Sequence, residues 1–210
     1  MVLRRPKRIA SFKELVRLWG EDYRKHFRRV FEPGLHVIAT YRLGVWAEGL
    51  DSPLARWPVK AIYYTLALYC EYVYGSRIEP SCHIGRRVLL GHGSGGIIFG
   101  RHVTIGDDCI LRHNVTLGQP RHSKLGNPTL GARVEIGAGA VIIGEITIGD
   151  DVMIGANAVV REDVPAGSIV LPPASVILPP PSRDAERPAA GRAAAVVAGP
   201  GNAAGRRRAS

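Results

Sequence analysis

Aliphatic residues recur every six positions through the middle of this chain, and few folds can accommodate that spacing. The series runs Ile78, Ile84, Leu90, slips by three residues, and resumes at Phe99, Ile105, Leu111 and Leu117. After a longer break it continues as Leu130, Ile136, Ile142, Ile148, Ile154 and Val160. Glycine commonly follows the aliphatic residue, and a small or β-branched residue often stands four places after it, as at Ala140, Val152 and Ala158. Six residues advance an α-helix by about 1.7 turns, which would scatter the aliphatic side chains around its axis. A repeat this short cannot bury its own apolar side and needs stacked neighbours. The spacing therefore predicts a parallel β-helix. Each unit is one short strand and a turn, three units close a triangular coil, the aliphatic residue points inward, and Gly or Asn handles the corners.

The sequence before Ile78 reads as helical. SFKE at 11–14 has the form of a capping box, with Ser at the N-cap and Glu three residues on. Phe12, Leu15, Val16, Trp19, Tyr23 and Phe27 follow at three- and four-residue steps, predicting an amphipathic helix that Pro33-Gly34 ends. Further helices are expected over 36–49 and 53–74, the latter kinked or restarted at Pro58, with Gly75 closing the segment. After about Pro165 the pattern fades, and the Pro-, Ala- and Arg-rich stretch that follows is read as a disordered tail. The expected organisation is a helical segment over 1–77, a β-helix over 78–175 with a loop protruding at 118–129, and a tail over 176–210.

Charge narrows the partners. The net charge of +10 is concentrated at the ends: residues 1–30 carry +7 and residues 176–210 carry +4, leaving about −1 for the body. A nucleic-acid binder needs a basic surface on its folded body, so no nucleic-acid partner is expected. The basic first helix leaves room for weak contact with a membrane surface. AIYYTLALY at 61–69 is far too short to span a bilayer, and MVLRRPKRIASFKEL lacks the apolar core of a signal peptide. Three cysteines without a CxxC pair suggest neither a disulfide framework nor a zinc site, which fits a reducing, cytoplasmic setting, peripheral to the membrane at most.

One histidine stands out. His92 lies in LLGHGSGGIIFG (89–100), inside the glycine-rich slip that breaks the repeat. Leu90 and Leu111 are three repeat steps apart, so His92 and His113, each two places on, should stack on adjacent coils about 4.8 Å apart.

The repeat, the Tyr41-Arg42-Leu43 segment, IEPSCHIGRRVLLGHGSGGIIFG, NVTLG at 114–118 and IGAGAVIIGEITIGDDVMIGANAVVREDVPAGS at 136–168 resemble the left-handed β-helix acyltransferases. Within them the chain is similar to serine O-acetyltransferase and to relatives that acetylate sugars. The resemblance covers about residues 37–172. It implies a homotrimer with active sites between adjacent prisms, acetyl-CoA along the later coils, no metal, and His92 as general base. An imidazole in that role takes the acceptor hydroxyl proton as the oxygen attacks the thioester, and nearby backbone N–H groups stabilise the oxyanion. Candidate cofactor contacts are Gly137, Ala138, Gly139 and Ala156, small enough for a pantetheine arm, with Arg161 for the phosphates.

The chain also departs from that pattern. The acidic residue that orients the family histidine falls on Arg77, and the aspartate before it is Gly91. The loop motif with the second histidine and the carboxylate-gripping arginine reads LGNP, placing Asn127 and Gly126 there. Glu79 and His113 are candidates to support His92, and Arg121, His122 and Asn127 to grip the acceptor. The C-terminus RRRAS lacks the isoleucine tail that docks into cysteine synthase, so that complex is not expected. The acceptor is serine or a serine-like alcohol, with a sugar or polysaccharide precursor as the alternative. A non-catalytic scaffold remains as a third reading. A carbonic anhydrase of the β-helix type would need His92, His113 and His122 as zinc ligands, without the close histidine pair or acidic support of such sites.

Overall fold

A computed structural model describes residues 9–91, 95–119 and 126–174. The expected tail over 176–210 lies outside them. Three helices precede a parallel β-solenoid: α1 (Phe12–Lys25), α2 (Pro33–Gly49) and α3 (Pro53–Tyr74). Thirteen strands of two or three residues follow, in three flat sheets. Sheet I stacks β1 (His83–Ile84), β4 (Thr104–Ile105), β7 (Thr129–Leu130) and β10 (Thr147–Ile148). Sheet II stacks β2 (Leu89–Leu90), β5 (Ile110–Leu111), β8 (Glu135–Ile136), β11 (Met153–Ile154) and β13 (Ile169–Val170). Sheet III stacks β3 (Ile98–Phe99), β6 (Thr116–Gly118), β9 (Val141–Ile143) and β12 (Val159–Val160).

Every aliphatic position of the six-residue series points into the prism; none is more than 7% exposed. The residue four places on forms a second inward column, and Cys82 and Cys109 belong to it. Their thiols donate to the carbonyls of Gly100 and Gly131, each at 3.2 Å, and burial pushes both up to about 11. They are core fillers. The corners use left-handed backbone, as expected, yet Arg87, His102, Asp108, Arg133 and Asp151 adopt it beside Asn114 and Asn157. Successive corners between sheets I and II pair Arg87 with Asp108 and Arg133 with Asp151, each through two hydrogen bonds.

The helical segment departs from the expected one in two ways. Helix α1 ends at Lys25, because Phe27 and Arg28 both turn left-handed, and Pro33 opens α2 where it was read as a terminator. The expected apolar face of α1 is also displaced. Phe12, Val16 and Phe27 are exposed, while Leu15, Leu18, Glu21 and Asp22 face inward, with His26 just beyond the helix buried as well. The capping box forms: Ser11 Oγ accepts the Glu14 N–H at 3.2 Å, and Glu14 reaches back to the Ala10 N–H at 2.9 Å. Helix α3 runs straight through Pro58 in one element and stops at Gly75, which takes φ of 63°.

The inward polar residues cover the open end of the solenoid. The first strands have no neighbour on one side, and their backbone groups need partners. Tyr41 donates to the Cys82 carbonyl (2.9 Å) and accepts the Ile84 N–H (3.1 Å). Arg42 donates to the carbonyls of Ile84 (2.7 Å) and Gly85 (2.5 Å) and pairs with Asp22 at 3.2 Å. His26 accepts the Leu90 N–H through Nε2 at 3.3 Å. Gly34 lets α2 approach β2 so closely that a Cβ there would stand 2.0 Å from the Leu90 carbonyl oxygen.

Candidate active site

The corner between sheets II and III collects most of the sequence-predicted residues. Coil by coil it carries the flanks of the slip (Gly91 and Gly95), then Arg112–Asn114, then Gly137–Gly139, then Gly155–Asn157. Hydrogen bonds bind these turns to one another. Gly91 N–H donates to Leu111 (2.8 Å) and Asn114 N–H to Gly95 (2.9 Å). Gly139 N–H then donates to His113 (3.0 Å), and Asn157 N–H to Ala138 (2.8 Å). His92 itself lies outside the described residues. Its flanks are fixed, and they bracket His113 on the next coil, because Leu90 and Leu111 pair directly in sheet II.

Burial of His26 favours its neutral form and lowers its affinity for protons. Its Nδ1 donates to the Asp22 carbonyl at 2.7 Å, which fixes the tautomer and leaves Nε2 to accept from Leu90, two residues before His92. The Asp22–Arg42 pair lies just behind it. Burial raises Asp22 even though Arg42 opposes the shift, and Asp22 Oδ1 has no hydrogen-bond partner among the described residues. None of this was legible beforehand except Tyr41-Arg42, which the resemblance had singled out without a role.

Other candidates sit elsewhere. Glu79 occupies the corner between sheets III and I, where it pairs with Arg101 (3.1 Å) and Arg77 (3.5 Å) rather than with anything on the His113 corner. Asn127 is on that same second corner, its Oδ1 buried against Gly100. The preceding Gly126 N–H donates to Glu145 at 3.1 Å. Arg161 is there too, exposed, so it is not on the edge that carries Gly137 and Ala156. Arg121 and His122 lie outside the described residues.

The glycines of the first corner have structural work. A Cβ on Gly137 would stand 2.4 Å from the Ala156 backbone nitrogen, and Gly139 takes φ of 71°. Ala138 and Ala156 are the accessible small side chains, and they leave a low rim along the corner that suits an extended thioester arm. Among the described residues no group of three His, Cys, Asp or Glu could hold a metal ion.

Two family descriptions match the solenoid: Hexapeptide repeat of succinyl-transferase over residues 83–119, and Bacterial transferase hexapeptide (six repeats) over 127–162. The serine acetyltransferase of Helicobacter pylori (strain ATCC 700392 / 26695) is 42% identical over 140 residues, covering 66% of this chain and 77% of its own. The chain belongs to the serine O-acetyltransferase-like hexapeptide-repeat acyltransferases. WcaB of Escherichia coli (strain K12), an acetyltransferase named for colanic acid biosynthesis, belongs to the same circle at 37% identity over 140 residues, covering 64% of this chain and 84% of its own. Among solved structures, Brucella abortus strain S19 serine acetyltransferase in complex with coenzyme A superposes with a TM-score of 0.64 at 26% identity, over 76% of this chain and 66% of that one. Entamoeba histolytica serine acetyltransferase isoform 3, in complex with cysteine, gives 0.62 at 28%, over 84% and 63%. The chain thus spans roughly two thirds of those solved chains.

Proposed function

We propose that this acyltransferase moves the acetyl group of acetyl-CoA to the hydroxyl of serine or a serine-like alcohol, with His92 as general base. The observation that carries the reading is the single corner on which the flanks of His92, His113, Ala138 and Ala156 stack in register. In this reaction the acceptor oxygen bonds to the thioester carbonyl carbon and its proton passes to the imidazole. The C–S bond then breaks, and the proton leaves with the thiol. Backbone N–H groups of the glycine-rich sequence around His92 would stabilise the oxyanion, other than those of Gly91 and Gly96, which donate to Leu111 and Tyr74. His113, one coil along, positions the imidazole or the acceptor.

The character of the faces supports a homotrimer in this reading. Outward positions on sheet I are His83, Thr104, Thr129 and Thr147, a polar column. Sheets II and III present Met153, Ile169, Ile98 and Val159, each at least 48% exposed. The exposed apolar side chains of sheets II and III, interrupted by Glu135 and Thr116, suit a trimer of prisms in which the corner carrying Glu79, Asn127 and Arg161 of one copy would meet the His92 corner of the next. Arg121 and His122 would then reach the acceptor across that junction. The setting is cytoplasmic in this reading.

A second reading, acetylation of a sugar hydroxyl, is favoured by Gly126 and Asn127, which supply no cation to grip an amino-acid carboxylate. Thiol release from acetyl-CoA with serine, homoserine and a sugar panel separates the two, with wild type and His92→Ala side by side. Serine-dependent release falling about a hundredfold in the variant is expected for loss of a general base. Release with a sugar but not with serine would transfer the proposal to the second reading. Unchanged release in His92→Ala would remove its central residue.

A further inference from the structure

Helix α3 shows far more apolar side chain to its surroundings than a helix packed on one neighbour should. It packs on α2 through a narrow stripe in which Tyr63 and Cys70 are buried. Away from that stripe Leu54 is 89% exposed, Trp57 76%, and Tyr72 83%, with Leu68, Tyr69 and Val73 about half exposed. The helix has three charged residues, Arg56, Lys60 and Glu71. At about 100° per residue they fall on one flank, and the exposed uncharged side chains, from Tyr64 round to Leu66, span an arc about 200° wide. Soluble monomers rarely leave so large an apolar surface uncovered. Among the described residues no helix is long and apolar enough to cross a membrane.

A second exposed apolar surface lies near the end of α3. The turn Phe27-Arg28-Arg29-Val30-Phe31 is exposed throughout, with Phe31 at 91% and Phe27 at 72%. His36 ties it to the end of α3. Its Nε2 donates to the Val30 carbonyl at 2.7 Å, which leaves Nδ1 to accept from the Tyr74 hydroxyl at 2.9 Å. Tyr69 completes the chain with its hydroxyl 3.3 Å from that of Tyr74. The turn that carries Arg28 and Arg29 is thereby tied to the end of α3.

We propose that α3 and the 27–31 turn dock on an anionic lipid surface, with Trp57, Tyr72 and Phe31 entering the headgroup layer and Arg28 and Arg29 meeting lipid phosphates. Three features select lipid over a second copy of the chain. The arc is about twice the stripe of roughly 100° that a packed helix buries. The ring types are those that concentrate at membrane–water interfaces. The turn is purely cationic from Phe27 to Phe31, so it attracts a negative surface and would repel the same turn of another copy.

The test is cosedimentation of the full chain with phosphatidylcholine vesicles and with phosphatidylcholine–phosphatidylglycerol vesicles, alongside light scattering without lipid. Wild type is expected to sediment with the anionic vesicles. Arg28→Gln with Arg29→Gln should weaken that binding about thirtyfold, at about fivefold per arginine. Trp57→Ser with Tyr72→Ser should weaken binding to both vesicle types while circular dichroism stays unchanged. Absence of vesicle binding would overturn the proposal. If the Trp57→Ser, Tyr72→Ser variant instead lowers the mass by light scattering, a second copy covers α3 and the lipid proposal also fails.

Discussion

His26 Nε2 accepts the backbone N–H of Leu90 at 3.3 Å, and that contact ties the end of α1 to the strand that leads into His92. The ring must stay neutral to accept. Its folded-state value lies below the ordinary one, chiefly from burial. The unfolded chain therefore binds the proton first, so this stability is present above about pH 6.5 and is lost as pH falls below it, toward the lower folded-state value. Asp22, raised by burial, acts in the opposite sense at lower pH: its contribution is present below about 3.9 and is lost as pH rises through the folded-state value. Urea unfolding of wild type and His26→Gln at pH 7.5 and 5.5 should show the wild type losing up to about 1.4 kcal/mol per pH unit more than the variant. Equal losses would mean that the ring is not held neutral.

The Arg42–Asp22 pair is the most buried ion pair of the described residues, with side chains 4% and 1% exposed. Removing the guanidinium strands the Asp22 charge and takes partners from the carbonyls of Ile84 and Gly85. Arg42→Ala should cost about 3–5 kcal/mol in denaturant unfolding. A loss under about 1 kcal/mol would show that water replaces the guanidinium.

The charged corners behave otherwise. Arg133 and Asp151 are each 55% exposed, and Arg133→Ala should leave the unfolding midpoint nearly unchanged despite the two hydrogen bonds. A thermal-unfolding comparison at low and high salt checks this, and a shift of many degrees at both would contradict it.

Gly34 and Gly118 make a paired test. Ala at 34 drives its methyl into the Leu90 carbonyl, whereas at 118 the nearest atom stands 3.9 Å away, an ordinary contact. Gly34→Ala should cost about 1–3 kcal/mol by overpacking. Gly118→Ala should unfold at nearly the wild-type urea concentration. Similar midpoints for the two would mean that α2 can move off β2 freely.

The solenoid was legible because each aliphatic position answers a single physical demand, burial inside a prism, and repeats it. The α1 face was legible only in part, because beside Leu15 and Leu18 it buries polar partners: Glu21 meets Arg86, Asp22 meets Arg42, and His26 just beyond the helix meets the Leu90 N–H. Glu21, Asp22 and His26 point inward against the usual polarity rule, and Phe12 and Val16 point out. No spacing rule flags a histidine chosen to meet one N–H. The candidate site was legible in part. His113, Ala138 and Ala156 share an edge as repeat arithmetic implies. Glu79 and Arg161 fall on another corner because they were named by residue type and by resemblance, not by their place in the three-step count.

A solenoid of this kind is by construction a template for its own continuation, since each coil offers the next a full set of hydrogen-bonding groups. Here the first coil is spoken for by Tyr41, Arg42 and His26, and β13 runs into Pro172 and Pro173, neither of which has an N–H to offer. The molecule therefore has a length. Substitutions that free only the first coil leave the far end blocked by Pro172 and Pro173, so no end-to-end fibre should form, and sedimentation should show none.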